Sequence, residues 1–286
     1  MVFGARHLRL ASLSDPVLIR TDGTPLYSFT SVVDDIDTGI SHVIRGEDHM
    51  TNTAIQLDIF AALGAAPPRF AHLPLLSDTE GGKLSKRIDS LSLRSLRADG
   101  IEAAAIAAYL ARLGTSDAVE PLPLADLARS FELGHVARSP AHFDVTQLLA
   151  LNRRVLHELP FDAVADRLPR GATEIFWLAV RGNLDLLNEA RGWWDVVAGT
   201  IAPPLLDGEQ AFLRAALDCL PPEPWDADVW SRWTQALRRI TGRSGAALAE
   251  PLRLALTGEE QGPAMHDLLP LIGRVRVVQR LQAAAN

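Results

Sequence analysis

The sequence predicts two kinds of architecture in one chain, an α/β segment up to about residue 90 and an all-α segment after it. Three observations predict this. Short apolar runs bounded by turn residues alternate with stretches of helical periodicity up to residue 90, as in a buried parallel sheet with crossover helices. Beyond that point the strand signal stops, and apolar residues recur at helical spacing. Pro-rich joints then cut the helical part into pieces.

Taken in order, "VLIR" (residues 17 to 20), "HVIR" (42 to 45) and "HLPLL" (72 to 76) have the length and composition of buried strands. Between them, "YSFTSVVDDIDTG" predicts a helix from near Tyr27 that stops at Gly39. "TNTAIQLDIFAALG" predicts a second, with cap-type residues at its start and Gly64 just past its last apolar turn. Strand, helix, strand, helix, strand implies parallel pairing, with any ligand beyond the carboxyl ends of the strands. The loops after Arg45 and Leu76 therefore face a candidate site. Further on, 101 to 113 and 145 to 159 read as helices. The joints "VEPLPL", "IAPPLL" and "LPPEPW" split this region, and the last of them, near residues 221 to 225, divides two expected helical bundles.

With 286 residues, 48% hydrophobic and 22% charged, the chain can bury a sizeable core. Its net charge of −7 argues against a protein that holds nucleic acid by a general basic surplus. Specific RNA recognition stays open. The single cysteine, Cys219, excludes an internal disulfide framework and a multi-cysteine zinc site, and no metal cluster is expected. The start "MVFGARHLRL" lacks the apolar stretch of a secretory leader, and no run approaches the ~18 apolar residues of a membrane span. We expect a cytoplasmic protein.

Lysine usage singles out one loop. The only lysines are Lys83 and Lys86, in "EGGKLSKR" (80 to 87), and every other basic residue is arginine. Random placement would put them this close in roughly a few per cent of cases. A Gly-Gly pair ahead of two compact ammonium charges, directly after an expected strand, suits a hinged loop following a moving phosphate. The alternative is an ordinary solvated loop. A second stretch, "HVIRGEDHMTNT", sets Arg45 at a strand end before a glycine and a helix start, a geometry suited to binding a carboxylate. The alternative there is a local ion pair of Arg45 with Glu47 and Asp48.

In this order, "PLYSFTSVVDDID", "HVIRGEDHMTNTAIQ", "RFAHLPLL" and "GKLSKR" resemble the bacterial glutamyl-tRNA synthetases, which are class I enzymes. "LARLGTSD", "RSPAHFD", "LNRRVLHELPF" and "PLRLALTG" extend the resemblance over nearly the whole chain. It implies the C-terminal part of a Rossmann-like class I catalytic domain, then helical stem-contact and anticodon-binding domains. The expected divisions are 1–25, the end of the acceptor-end-binding insertion; 26–90, the second half of the nucleotide-binding domain; 91–158, the stem-contact region; and 159–286, the anticodon-binding region, split near 222.

The implied activity is ATP-dependent activation of glutamate, assisted by Mg2+, and transfer of the glutamyl group to tRNA-Glu, with tRNA-Gln left open as a second acceptor. "GKLSKR" looks like the signature usually written Lys-Met-Ser-Lys-Ser. The resemblance therefore makes Lys83, Ser85 and Lys86 catalytic, and Lys83, Leu84, Ser85, Lys86 and Arg87 ATP-binding. Tyr27, Ser31 and Arg45 fall where relatives contact glutamate, with Ser31 replacing a common asparagine. Glu47, Asp48 and His49 fall in the turn facing the pocket.

The other class I signature, His-x-Gly-His, does not occur here. We therefore expect a chain equivalent to the C-terminal two thirds of a relative, monomeric, with weak or absent adenylate formation by itself. The alternatives are a non-catalytic tRNA-binding protein, or half of a split enzyme completed by an N-terminal partner in trans.

Overall fold

The computed structural model describes residues 2–4, 6–9, 13–78, 82, 92–202 and 204–285. The backbone divides into two compact units, one of residues 1–92 and 104–148, the other of residues 93–103 and 149–286.

In the first unit, helix α1 (Tyr27–Thr38) leads to strand β1 (His42–Gly46), a 3₁₀ turn at Glu47–His49 and helix α2 (Met50–Ala62). Strand β2 (Arg69–Leu73) pairs in parallel with β1, in a register that sets Arg45 opposite His72. Both helices end as their glycines require. Gly39 adopts φ 67° and donates its N–H to Ile36 O, while Gly64 takes φ 70° past the end of α2. The helices meet through Val32, Ile59 and Phe60, all buried. Helix α2 also turns Thr53 and Gln56 to this buried side, in phase with Ile59 and Phe60.

Two strand expectations need correction. Residues 17–20 form no strand. Asp22 and Gly23 (φ 85°) fold the chain straight back, leaving one antiparallel bridge between Ile19 and Pro25. The run is too short, and too close to a turn and to a proline without an N–H, to join the sheet. The run 72–76 is not one strand either. Pro74 interrupts it, so β2 ends at Leu73 and a separate two-residue strand, β3 (Leu76–Ser77), pairs in parallel with β4 (Ala141–His142). That last strand lies where only helices were expected. Two residues are too few to display a period.

The first unit also contains α5 (Leu124–Ser130) and all but the first residue of α4 (Ala103–Arg112), and Tyr109 of α4 accepts the Asp144 N–H at 2.8 Å. The second unit is helical: α3 (Leu93–Ala98), the later part of α6 (Val145–Glu158), then α7 (Glu174–Val180), α8 (Ala190–Ala198), α9 (Gln210–Asp218), α10 (Val229–Thr241), α11 (Ala246–Thr257), α12 (Met265–Ile272) and α13 (Arg274–Ala284). One buried apolar cluster runs from Leu156 to Ala285 and includes residues on both sides of the proline joint at 221–224.

Trp177 and Trp233 are fully buried in this cluster, and each donates its indole N–H to a carbonyl at 2.9 Å, Leu159 O and Ala216 O. Trp193 packs on Gly262, whose φ of 144° and lack of a side chain admit the ring. Arg280, 5% exposed, donates to Leu256 O at 2.7 Å and Gly199 O at 3.3 Å, tying the ends of α11 and α8 to α13. Burial, with Arg276 nearby, pulls this guanidinium down to about 10, so it is still charged at neutral pH. All six tryptophans lie in the second unit and both tyrosines in the first.

Candidate functional site

The carboxyl end of β1 delivers Arg45 into a polar cluster of the first unit. Its guanidinium donates to Tyr27 Oη at 2.9 Å, Thr53 Oγ1 at 2.7 Å, Gln56 Oε1 at 2.6 Å and His49 O at 3.5 Å. Every acceptor is neutral, and among the described residues Arg45 forms no ion pair. The alternative of a local pair with Glu47 or Asp48 is therefore not what the structure contains. A guanidinium held by neutral oxygens, with no carboxylate in direct contact among the described residues, can still pair with an incoming anion.

Hydrogen-bond logic fixes the rest of the cluster. Arginine only donates, so Gln56 must face it with its carbonyl oxygen, and its amide nitrogen then donates to Ser31 Oγ at 2.6 Å. Ser31 in turn donates its one proton to Tyr27 O at 2.7 Å. Its hydroxyl proton is thus committed to the backbone, and Ser31 supports Gln56 rather than offering the amide that asparagine would present. Thr53 Oγ1 also lies 2.9 Å from His72 Nε2. Burial, and then the charge of Arg45, hold His72 below the ordinary imidazole range. Burial raises the Asp35 carboxyl, with Arg45 acting in the opposite direction.

The remaining turn residues have smaller parts. Glu47 Oε1 accepts the Leu75 N–H at 3.4 Å, bridging the loops that follow β1 and β2. Asp48 lies over Gly46 and 3.9 Å from His49 Nε2, and the His49 ring meets Tyr27 edge-on at 5.6 Å. A cavity of about 650 Å³ borders the cluster, walled by Arg6, His7 and the α2 residues Met50, Thr53 and Leu57, with His72. That volume lies within the ~300–1,000 Å³ usual for small-molecule sites.

The structure brings Tyr27, Ser31, Arg45 and the Glu47–His49 turn together. Lys83, Leu84, Ser85, Lys86 and Arg87 lie outside the described residues. Just before them, Asp78 closes a turn with Gly82: the Gly82 N–H donates to Asp78 Oδ1 at 2.6 Å and the Asp78 N–H to Gly82 O at 2.9 Å. Thr53, Gln56 and His72 were not anticipated from the sequence. The available signal was phase: Thr53 and Gln56 are polar residues on the buried stripe of α2, and a buried polar residue needs a partner.

The family described as tRNA synthetases class I (E and Q), catalytic domain, matches residues 2–150, and an anticodon binding domain matches residues 205–285. A protein of Gluconacetobacter diazotrophicus named glutamate–tRNA ligase 2 is 60% identical over 288 residues, covering 100% of this chain and 65% of its own length. One of the same name from Granulibacter bethesdensis is 62% identical over 281 residues, covering 98% and 63%. The crystal structure of the glutamate-tRNA synthetase of Elizabethkingia anophelis superposes with a TM-score of 0.79 at 24% identity, covering 96% of this chain and 62% of that one, a likeness of fold.

The catalytic-domain match takes in the parallel α/β unit with Arg45, and the anticodon-domain match takes in the later helices of the second unit. This chain belongs to the class I tRNA synthetases of the E and Q family. It spans about two thirds of the length of these relatives, 65% and 63%.

Proposed function

We propose that the chain carries the glutamate-recognition and tRNA-binding parts of a glutamate–tRNA ligase, acting in the cytoplasm as a monomer. In the first step a glutamate carboxylate oxygen attacks the α-phosphorus of ATP, and pyrophosphate leaves. In the second, a ribose hydroxyl of the tRNA's terminal adenosine attacks the activated carbonyl and AMP leaves. Arg45 pairs with a glutamate carboxylate and Tyr27 borders it, while Ser31 acts through Gln56. Lys83, Ser85 and Lys86, with Leu84 and Arg87, contact the triphosphate and stabilise charge on the departing pyrophosphate. Glu47, Asp48 and His49 shape the pocket edge. Magnesium would travel with the triphosphate. The acceptor is tRNA-Glu, with tRNA-Gln a second candidate.

The observation that supports this most is the guanidinium of Arg45, ringed by neutral acceptors and in no direct ion pair among the described residues, inside the segment matched to the catalytic domain. Glutamate-dependent exchange of pyrophosphate into ATP tests it. We expect weak or no exchange by the 286-residue chain alone. Exchange should appear on mixing with a polypeptide equivalent to the part of the relatives that the chain does not cover. Exchange driven equally by aspartate, or none in the mixture, would count against the proposal.

A further inference from the structure

His72 stands opposite Arg45 in the register of β1 and β2, and paired residues of parallel strands lie about 4.8 Å apart with their side chains on one face. One hydroxyl links the two. Thr53 Oγ1 accepts from the Arg45 guanidinium at 2.7 Å and lies 2.9 Å from His72 Nε2 and 3.2 Å from His49 O. A hydroxyl has one proton to give, so two arrangements satisfy this geometry. With neutral His72 accepting at Nε2, Thr53 donates to the imidazole. With His72 doubly protonated, Nε2 donates to Thr53, whose own proton turns to His49 O. The hydrogen bond from Arg45 survives in both, and partial burial with the nearby guanidinium favours the neutral one. Charged and titratable groups surround His72 from each neighbouring element: Arg45 on β1, His49 with Asp48 in the turn, Asp58 on α2, and Arg6 and His7 across the cavity. Asp35 on α1 acts on Arg45 behind it. Burial first, then Arg45, the amino terminus and His49, hold the imidazole below its ordinary range.

We propose that His72 is a positioning residue of the Arg45 site: neutral, it orients Thr53 against the guanidinium, and it takes up a proton from solvent when a carboxylate binds Arg45, so that glutamate binds more tightly in mild acid. The inference rests on the reading of Arg45 as the arginine that pairs with glutamate. The linkage has a definite sign. Arg45 disfavours a second cation beside it, and a carboxylate on Arg45 cancels much of that field at His72. The bound state therefore holds the His72 proton more tightly than the free state. By reciprocity, affinity rises as pH falls through the bound midpoint and levels off below the free one. Glutamate's own side-chain carboxyl titrates near about 4.3, below the range concerned. An imidazole that served packing alone would leave the ligand's affinity independent of its proton.

The test is titration calorimetry of the full chain with L-glutamate at about pH 5.5, 6.5 and 7.5, spanning the imidazole range, in two buffers of different ionisation enthalpy, which reads affinity and proton uptake together. Ring NMR of His72, with and without saturating glutamate, assigns the proton. Wild type should bind about 3- to 10-fold more tightly at the lowest pH than at the highest, ten-fold corresponding to one pKa unit, and its His72 midpoint should move up with ligand. His72→Leu should bind more weakly at every pH. His72→Gln, whose amide can still hydrogen-bond Thr53, should recover part of that loss with a flatter profile. Contributions of His7, His49 and Asp35 persist in both variants, so the flattening belongs to His72. A wild-type affinity independent of pH, an equal rise in His72→Gln, or a His72 midpoint unmoved by saturating glutamate would overturn the proton linkage. The ring measurement needs no variant to fold. Wild-type affinity in His72→Leu would overturn the positioning role. Each of these results leaves Arg45 as the glutamate site, whereas no glutamate binding by wild type at any pH would overturn both readings.

Discussion

Replacing Gln56 by glutamate changes one atom type at the centre of the Arg45 cluster and separates charge from shape. Gln56 Oε1 lies 2.6 Å from the Arg45 guanidinium and the residue is 2% exposed, so glutamate of the same length would sit as a direct counter-ion. The second carboxylate oxygen would meet Ser31 Oγ, obliging Ser31 to redirect its proton from Tyr27 O. Two unit charges about 4 Å apart at an effective dielectric of about 20 interact by about 4 kcal/mol. An incoming carboxylate would lose most of that attraction. We expect glutamate binding to weaken by about 2–4 kcal/mol, or about 30- to 1,000-fold, while the first unit stays as stable as wild type or more so.

Gln56→Met gives the complementary result: the guanidinium keeps its charge but loses a charge-assisted hydrogen bond of about 1.5–3 kcal/mol, so stability falls and ligand affinity falls less than in Gln56→Glu. Titration calorimetry with glutamate, paired with urea unfolding followed by far-ultraviolet circular dichroism, reads both quantities. Glutamate affinity in Gln56→Glu equal to wild type would refute the proposal that the Arg45 charge, free of a direct counter-ion, binds the anion.

His72 is held below the ordinary imidazole range, so below about pH 6.5 the unfolded chain binds more protons than the folded one. The stability contributed by neutral His72 is therefore present above about pH 6.5 and lost as pH falls through the folded value. An NMR titration of the His72 ring should give a midpoint under 6.5, moving upward in Arg45→Met. Gly262→Ala would drive a methyl into the Trp193 ring at a backbone angle that side chains rarely adopt, and should lower stability by about 2–4 kcal/mol in urea melts followed by tryptophan fluorescence. Arg280→Met would leave Leu256 O without its 2.7 Å donor and weaken the donor set at Gly199 O, costing about 2–3 kcal/mol by the same melts.

Helix ends were legible in the sequence because they rest on local chemistry: Gly39 and Gly64 stop their helices in left-handed conformations that other residues resist. Arg45 and Tyr27 were legible too, since a strand end followed by Gly46 aims at the crevice and the resemblance placed the tyrosine. Pairing partners were less legible. The run 17–20 matches 42–45 in composition, yet Gly23 and Pro25 deny it a place beside β1, and the two-residue pair of Leu76–Ser77 with Ala141–His142 is a long-range contact without a local signature. The support of Arg45 by Gln56 and Thr53 was missed for a different reason. Polar residues within an amphipathic helix are usually assigned to the solvent side, and only the depth of α2 reveals that these two face inward.

The uneven distribution of aromatic residues gives the chain a built-in spectroscopic division. Excitation beyond the tyrosine absorption band addresses only the second unit, because every indole lies there, whereas the two phenols belong to the unit that contains Arg45, one of them on the guanidinium itself. The second unit can thus be watched unfolding by its own emission, with no label added and no residue replaced.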